Sequence, residues 1–229
     1  QCCFPPGRMA RALRYFISLL DYHAYSGGNG CLVDLHKSFD ARDSKPGETV
    51  VLLHGLWMPG AAMIFLARRL RRAGWTAAIF SYASRRAAVK QNAASLAAFL
   101  KGIDAPVVHF VAHSLGGLLL MQLLQDFPAQ RPGRVLLLGT PYQGSHVARK
   151  LSRRRWGRYL CGLSLQGALL GDGPRWPGGR ELGVIAGTLP FGAGWITPGL
   201  PRPHDGMVAV EETVVPGLTD RITLPVTHS

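Results

Sequence analysis

Six short segments of the chain are almost entirely apolar and rich in β-branched residues, which is the pattern of buried strands. They lie at residues 49–53, 76–82, 107–112, 134–140, 183–188 and 221–226. Helical spacing of apolar residues between the first four predicts helices at 63–72, 87–100 and 115–127. Apolar strands that alternate with helices are typical of a parallel sheet covered on both faces. We therefore predict a doubly wound, mostly parallel α/β sheet.

Two parts of the chain depart from this alternation. Residues 1–47 contain an amphipathic helix at 9–20, with arginines along one side, and a loop that follows it. Residues 145–183 combine Arg and Lys clusters with many glycines and prolines, and are too long and irregular for a plain crossover. We expect an N-terminal helix and loop at 1–47 and an α/β domain at 48–229 that includes the insertion at about 145–183.

Length and cysteine content narrow the class of protein. At 229 residues the chain can form one sizeable α/β domain. The N-terminal apolar run at 15–20 is shorter than the roughly 20 residues that span a bilayer. No signal peptide is visible, so we expect a soluble protein and favour the cytoplasm. The four cysteines, Cys2, Cys3, Cys31 and Cys161, match no zinc-binding spacing, and only a Cys31–Cys161 disulfide stays open.

The formal net charge of +13 raises the question of an anionic partner. A basic surface attracts nucleic acid, anionic lipid or acidic substrates. The cations cluster at 8–14, 68–72, 85–90 and 149–158, without aromatic residues between them in a stacking pattern. We therefore expect no nucleic-acid partner, and keep peripheral contact with an anionic membrane surface as an option.

The segment around Ser114 is the strongest candidate for chemistry. Residues 107–120 read V-V-H-F-V-A-H-S-L-G-G-L-L-L, an apolar strand that enters a small turn and leaves it as a helix. A serine on such a turn has its hydroxyl outside the sheet, next to the free N–H groups of a helix N-terminus. Ala112 stands where the G-x-S-x-G pattern has its first glycine, and is small enough for the turn. We expect Ser114 to be a nucleophile; the alternative is a βα turn that only packs well.

A serine nucleophile needs a base, and the base needs a group that orients it. His228 follows the last predicted strand, at the carboxyl end of the sheet where α/β sites form. Asp205, in H-D-G-M-V after the strand at 183–188, is the candidate acid. Asp172 and Asp220 are rivals, the first inside the insertion and the second at the wrong end of the last strand.

Two backbone N–H groups are candidates for binding an oxyanion. Leu56 follows a strand that runs into a His-Gly turn, and Leu115 directly follows Ser114. Among the other histidines, we expect His54 to brace this loop, His109 and His113 to be structural, and His146 and His204 to line the site.

Five segments together resemble esterases and lipases of the α/β-hydrolase superfamily. They are H-G-L-W at 54–57, A-H-S-L-G-G at 112–117, G-T-P-Y-Q-G-S at 139–145, D-G-M-V at 205–208 and L-P-V-T-H at 224–228. They occur in the family's order and cover residues 48–228. The resemblance implies an α/β-hydrolase fold and cleavage of carboxylic esters through an acyl-enzyme, without a metal or an organic cofactor.

The resemblance also implies roles for the candidate residues. Ser114 would attack the ester carbonyl, His228 would take and return the proton, and Asp205 would orient His228. The substrate would be a small-molecule or lipid ester. A thioesterase, an amidase or an acyltransferase with the same three residues is an alternative, as is a non-catalytic binding protein of the same fold.

Two further expectations concern the residues that bind substrate and the contacts that hold His228. We expect Trp57, Met58 and Tyr142 to bind substrate. The insertion at 145–183 lies where lipase-like enzymes place a cap or lid, and is either such a cap or a solvated crossover. Relatives usually carry a closing helix after the catalytic histidine, whereas only Ser229 follows His228 here. Either the sequence continues in the full protein or other contacts hold His228, since free termini fray.

Overall fold

A six-stranded parallel sheet forms the centre of the computed structural model, which describes residues 47–164, 168–192 and 199–228. The strands are β1 (Glu48–Leu53), β2 (Thr76–Phe80), β3 (Val107–His113), β4 (Val135–Leu138), β5 (Leu182–Gly187) and β6 (Asp220–Leu224). Their order is β2-β1-β3-β4-β5-β6, and every neighbouring pair is parallel. The doubly wound parallel sheet is thereby confirmed, with strand bounds close to those predicted.

Five helices accompany the sheet in the described ranges. They are α1 (Ile64–Arg72), α2 (Val89–Lys101), α3 (Leu115–Asp126), α4 (His146–Ser152) and α5 (Arg155–Cys161), with 3-10 turns at Gly60–Met63, Gly162–Ser164 and Val210–Thr213. Both α4 and α5 belong to the insertion at 145–183. The helix predicted at 9–20 lies outside the described residues. None of the helices described has the length and apolar character needed to cross a bilayer.

Helices cover both faces of the sheet because side chains alternate along each strand. Val51 and Leu53 of β1 face a large core cluster that α2 and α3 complete, and the inner residues of α4 and α5 join it. Val50 and Leu52 face the opposite way, into a smaller cluster with α1. The apolar runs of the sequence thus reflect strands buried on both faces.

The chain reverses its direction across the sheet next to β1. Among the described strands, the chain runs from β1 out to the edge strand β2, and then crosses back to β3 on the other side of β1. In register, Leu53 of β1 lies beside Ala112 of β3, so the loops that follow these strands start next to each other. Crevices at such switch points, outside the carboxyl ends of the strands, are where open α/β sheets bind ligands.

Candidate active site

Ser114 occupies a strained turn between β3 and α3. Its backbone has φ 52° and ψ −119°, and Trp57 is the only other non-glycine residue in the described ranges with a positive φ. The Ser114 N–H donates to the Leu138 carbonyl at 2.8 Å, which ties the turn to β4. Strain of this kind persists only where the surroundings enforce it, and it is concentrated at functional sites.

The three predicted side chains form one continuous array of hydrogen bonds. Ser114 Oγ lies 3.0 Å from His228 Nε2, and His228 Nδ1 lies 2.7 Å from Asp205 Oδ2. The other carboxylate oxygen, Asp205 Oδ1, accepts from the N–H groups of Met207 at 2.9 Å and Val208 at 2.7 Å. The Asp205 side chain is only 2% exposed and that of His228 10%. This network favours the tautomer in which Nδ1–H donates to Asp205 and Nε2 accepts the Ser114 proton.

His228 is also held through its main chain. Its N–H donates to the Asp205 carbonyl at 3.0 Å, and its carbonyl accepts from His113 Nε2 at 2.7 Å. Together with the two ring contacts, these bonds tie His228 to Ser114, Asp205 and His113.

His113 is a site residue whose contact the sequence did not reveal. Burial, with a smaller contribution from the nearby His228, lowers the pKa of His113 from 6.5 to about 4. The ring is therefore neutral at physiological pH, with its proton on Nε2, where it donates to His228. The partner is a main-chain carbonyl 115 positions along the chain, so no side-chain pattern could have indicated the contact.

Two glycines make room for the contact between Asp205 and His228. Gly139 has a φ of +53°, and a Cβ there would lie 3.2 Å from both Asp205 Oδ2 and His228 Nδ1. Gly187, the last residue of β5, would bring a Cβ within 2.6 Å of Asp205 Cβ and of the Val226 carbonyl. The sheet edge can approach the two side chains because these positions carry no side chain.

The loop after β1 runs beside Ser114. A Cβ on Gly55 would lie 3.2 Å from Ser114 Cβ and 2.8 Å from His113 Nδ1, so the backbone passes close to both. Leu56, the next residue, lines the cavity described below. On the other side of Ser114, the Leu115 N–H is the first of α3 and has no acceptor within the helix. Leu56 thus shares the cavity wall with Ser114, and Leu115 adjoins Ser114 in the chain.

His54 braces this loop, as expected. Its ring stacks on Tyr82 with centroids 4.2 Å apart, its Nε2 accepts from the Tyr82 N–H at 3.2 Å, and its Nδ1 lies 2.9 Å from the Gly55 carbonyl. The Tyr82 hydroxyl donates to the His54 carbonyl at 2.8 Å. Burial lowers the pKa of His54, and the ring's hydrogen-bond partners are Gly55 and Tyr82.

The rival residues lie elsewhere. Asp172 is exposed, and Asp220 begins β6 at the amino edge of the sheet. His109 Nε2 lies 2.9 Å from Glu48 Oε2, and its Nδ1 accepts a hydrogen bond from the Arg134 N–H at 3.0 Å. These contacts indicate a structural role. His204 Nδ1 accepts from the Gly206 N–H in the Asp205 turn. Contrary to expectation, the cavity walls built by the described residues include neither His204 nor His146.

A cavity of about 440 Å³ opens next to Ser114 and His228. Its walls are mostly apolar and come from the loop after β1, from α4, and from single residues near α5 and Asp205: Leu56, Trp57, Met58, Val147, Ala148, Leu151, Cys161, Leu169, Phe191 and Met207. Cys161 is a buried free thiol there, and burial raises its pKa.

Trp57 and Met58 therefore lie where substrate contacts were expected, and Tyr142 does not. Pro141 faces the cavity, whereas Tyr142 is buried in the large core cluster with its hydroxyl 3.5 Å from the Trp176 N–H. The turn after β4 presents only one of these adjacent residues to the cavity. The expectation for Tyr142 is corrected accordingly.

No metal centre is evident among the described residues. In those ranges, no three His, Cys, Asp or Glu side chains come together in a group that could hold a metal ion.

Comparison with known proteins gives the fold a wider context. No protein-family model and no curated protein matches the chain. Among solved structures, the mature form of the lipase BlEst2 from Bacillus licheniformis is similar, with a TM-score of 0.68 and 22% identity over 81% of this chain and 86% of that one. Its propeptide form has a TM-score of 0.69 and 23% identity, again over 81% of this chain but 47% of that one.

A metagenomic carboxyl esterase, MGS0156, is also similar, with a TM-score of 0.65 and 17% identity over 81% of this chain and 65% of that one. These identities are too low to carry residue roles from one protein to another, but the topologies agree. The chain therefore has the α/β-hydrolase fold, which it shares with these solved structures.

Proposed function

We propose that this protein is a serine hydrolase that cleaves carboxylic esters through an acyl-enzyme intermediate. The observation that carries the proposal is the array from Ser114 Oγ through His228 to Asp205, with contacts of 3.0 Å and 2.7 Å, at the wall of an apolar cavity. These distances lie within the range that a nucleophile, its base and an orienting carboxylate require.

Each member of the array has a defined part in the reaction. Ser114 Oγ attacks the ester carbonyl carbon while His228 Nε2 accepts its proton, which forms a tetrahedral oxyanion. Asp205 stabilises the resulting imidazolium through Nδ1–H, and the N–H groups of Leu56 and Leu115 bind the oxyanion. His228 then protonates the leaving alcohol. Water attacks the acyl-enzyme by the reverse sequence and releases the acid.

The cavity favours an ester with an apolar acyl group. Apart from Ser114, His113, Ser145, Thr227 and His228, its described lining residues are apolar or glycine. Burial of an alkyl chain against apolar walls stabilises the bound ester by about 0.8 kcal/mol for each methylene. We expect Trp57 and Met58 to contact that acyl group.

The array alone does not separate an esterase from a thioesterase, an amidase or an acyltransferase, because the same nucleophile serves all of them. The neighbours named lipase or esterase favour the ester. A non-catalytic binding protein is disfavoured, because binding alone needs no strained Ser114 backbone and no buried Asp205–His228 pair.

A fluorophosphonate probe and a series of p-nitrophenyl esters of increasing acyl length test the proposal. We expect the wild-type protein to label and to turn over the esters, and the Ser114→Ala protein to do neither. Asp205→Asn should lower kcat by about 10⁴, because His228 then adopts the wrong tautomer. The matched control Asp172→Asn removes an exposed carboxylate and should change nothing.

Three outcomes would count against parts of this proposal. Absence of labelling in the wild-type protein would leave only the binding-protein alternative. Labelling that survives Ser114→Ala would identify another nucleophile. Faster turnover of matched thioesters or anilides than of the esters would keep the mechanism and change the substrate class.

A further inference from the structure

We infer that α5 carries a docking surface for a bilayer rich in anionic lipid, and that this surface continues into the mouth of the cavity. The α5 face is defined here as the exposed side chains of Arg153, Arg154, Arg155, Trp156, Arg158, Tyr159, Leu160 and Leu163. A bilayer would be a partner of the proposed ester hydrolase. The docking surface rests on that proposed function only for the reason why such a partner would be useful.

The charge on this face is unbalanced. From His146 to Ser164 the sequence has six Lys and Arg residues and no Asp or Glu. Glu212 reaches Arg149 at 3.5 Å, but in the described part of the chain no carboxylate forms an ion pair with Arg153, Arg154, Arg155 or Arg158. All four arginines are exposed. Juxtamembrane cations are attracted to anionic lipid headgroups by about 1 kcal/mol each.

Large apolar side chains are interspersed with these arginines. Trp156 is 51% exposed, Tyr159 77% and Leu163 57%. The opposite side of the helix is buried through Gly157 and Cys161, so Trp156 and Tyr159 lie on its outer side, and Leu163 is exposed in the 3-10 turn that follows. Arginines together with exposed Trp, Tyr and Leu are the composition of surfaces that lie at the boundary between headgroups and acyl chains.

Direct contacts connect the α5 face to the mouth of the cavity. Trp57 lines the cavity, is 44% exposed, and donates from Nε1 to the Leu160 carbonyl at 2.8 Å. Cys161 lines the cavity from the inner side of α5. Phe191 is another lining residue and is 71% exposed. A lipid ester could pass from a bilayer to Ser114 along apolar surface.

The surface is held in place by the loop after β2. The Arg85 guanidinium donates to the Tyr159 carbonyl at 3.1 Å, and the Arg85 carbonyl accepts from the Leu163 N–H at 2.9 Å. The Ser164 hydroxyl donates to the Ser84 carbonyl. A bilayer would therefore meet a preformed face and need not order it.

The apolar residues favour a bilayer over a nucleic acid as the partner of the arginines. Contact with phosphates or base edges does not stabilise the exposed apolar side chains of Leu163 and Phe191. Insertion among acyl chains does, because it removes their apolar surface from water. Nucleic acid is kept as an outcome of the test.

Vesicle co-sedimentation with the Ser114→Ala protein measures binding without hydrolysis. We expect binding to vesicles of equimolar phosphatidylcholine and phosphatidylglycerol, much weaker binding to pure phosphatidylcholine, and a decline as salt is raised. Arg155→Gln with Arg158→Gln should weaken binding about thirtyfold, roughly fivefold for each arginine. Trp156→Ala should weaken binding to the anionic vesicles as well.

The control pair is Arg72→Gln with Lys101→Gln. It removes the same charge from the exposed carboxyl ends of α1 and α2, which lead into the amino ends of β2 and β3, whereas Ser114 follows the carboxyl end of β3. An equal loss in both double variants would show only a general charge effect and would overturn the inference. So would equal binding to the two kinds of vesicle, or binding to duplex DNA that depends on Arg155 and Arg158 without any binding to vesicles.

A soluble ester separates this inference from the proposed function. The Arg155→Gln/Arg158→Gln protein with Ser114 intact should hydrolyse p-nitrophenyl acetate at the wild-type rate. Hydrolysis of this ester without vesicle binding would overturn the docking surface alone. Vesicle binding by a wild-type protein that hydrolyses no ester would overturn the function alone.

Discussion

His113 determines much of the behaviour of the site at the scale of single residues. It donates to the carbonyl of the residue that we propose as the base, and its low pKa keeps it neutral while it does so. In the described chain its Nδ1 is buried without a hydrogen-bond partner, so protonation there has no acceptor to receive the new N–H. Neutral His113 is therefore part of the folded state.

Because His113 is neutral in the folded protein, the free energy of unfolding depends on pH. The unfolded chain binds a proton at His113 below about pH 6.5, whereas the folded protein binds one only near pH 4. The unfolded state thus holds more protons in that window, and the free energy of unfolding should fall by about 3 kcal/mol as pH is lowered through it. In His113→Gln, which keeps a donor but does not titrate, this loss should be absent.

Urea unfolding of both proteins, at neutral pH and at about pH 4, measures the difference. Titrating groups that do not interact with His113 contribute equally to both proteins and cancel, whereas His228, Asp205 and His54 are coupled to it. Parallel losses of stability in the two proteins would show that His113 is not held neutral by the fold.

The positions of some site residues could be predicted from the sequence and those of others could not, for a physical reason. Ser114, Asp205 and His228 follow strands, and a parallel sheet brings the ends of its strands to one edge, so their proximity could be predicted. Tyr142 also lies in a segment that follows a strand, but which of two neighbouring side chains faces a cavity depends on the turn, which the pattern does not determine.

At the scale of elements, the contact between α3 and the end of β1 positions the serine. A Cβ on Gly116 would lie 2.7 Å from the His54 carbonyl oxygen and 2.9 Å from that of Leu53. Both are backbone atoms of a strand end, which cannot move aside. The helix thus lies against the sheet at a distance that only glycine permits, and Ser114 is set at its first turn.

Gly116→Ala should therefore displace α3 and with it Ser114. We expect a loss of roughly 1–3 kcal/mol in the free energy of unfolding, typical of overpacking, and a marked slowing of fluorophosphonate labelling. Gly102→Ala is the matched control, because its Cβ would meet nothing closer than the Phe99 carbonyl at 3.5 Å.

The control should stay within about 0.5 kcal/mol of wild type and label normally. Labelling of Gly116→Ala at the wild-type rate would mean that the turn holds Ser114 independently of the helix position.

The elements that sequence reasoning did not resolve are α4 and α5. Their apolar residues are few and interrupted by a run of arginines. Within α5, Gly157 packs closely on the end of α4, because a Cβ there would lie 2.0 Å from the Leu151 carbonyl oxygen. Such short helices are stabilised by the cavity wall and by the Arg85 contacts, which are tertiary interactions and leave no periodic pattern.

At the scale of the whole molecule, the pattern of apolar strands was sufficient to predict the architecture of the sheet. A sheet covered on both faces needs continuous apolar strands, and right-handed crossovers leave few ways to order them. The same pattern is compatible with many sequences, which explains how the chain shares its topology with the lipase BlEst2 at only 22% identity.

The hydrogen bond between Ser114 and His228 joins residues 114 positions apart, across β3, β4, β5 and β6. The Ser114–His228 contact is consequently a property of the completed sheet, and covalent labelling of the proposed nucleophile can time its completion. Chains of this length commonly pass through intermediates with native-like helices and incomplete packing. After dilution from urea, we expect the far-ultraviolet circular dichroism to recover before the protein can react with a fluorophosphonate. If both signals recover together, the last strand pairs in the same cooperative step as the helices.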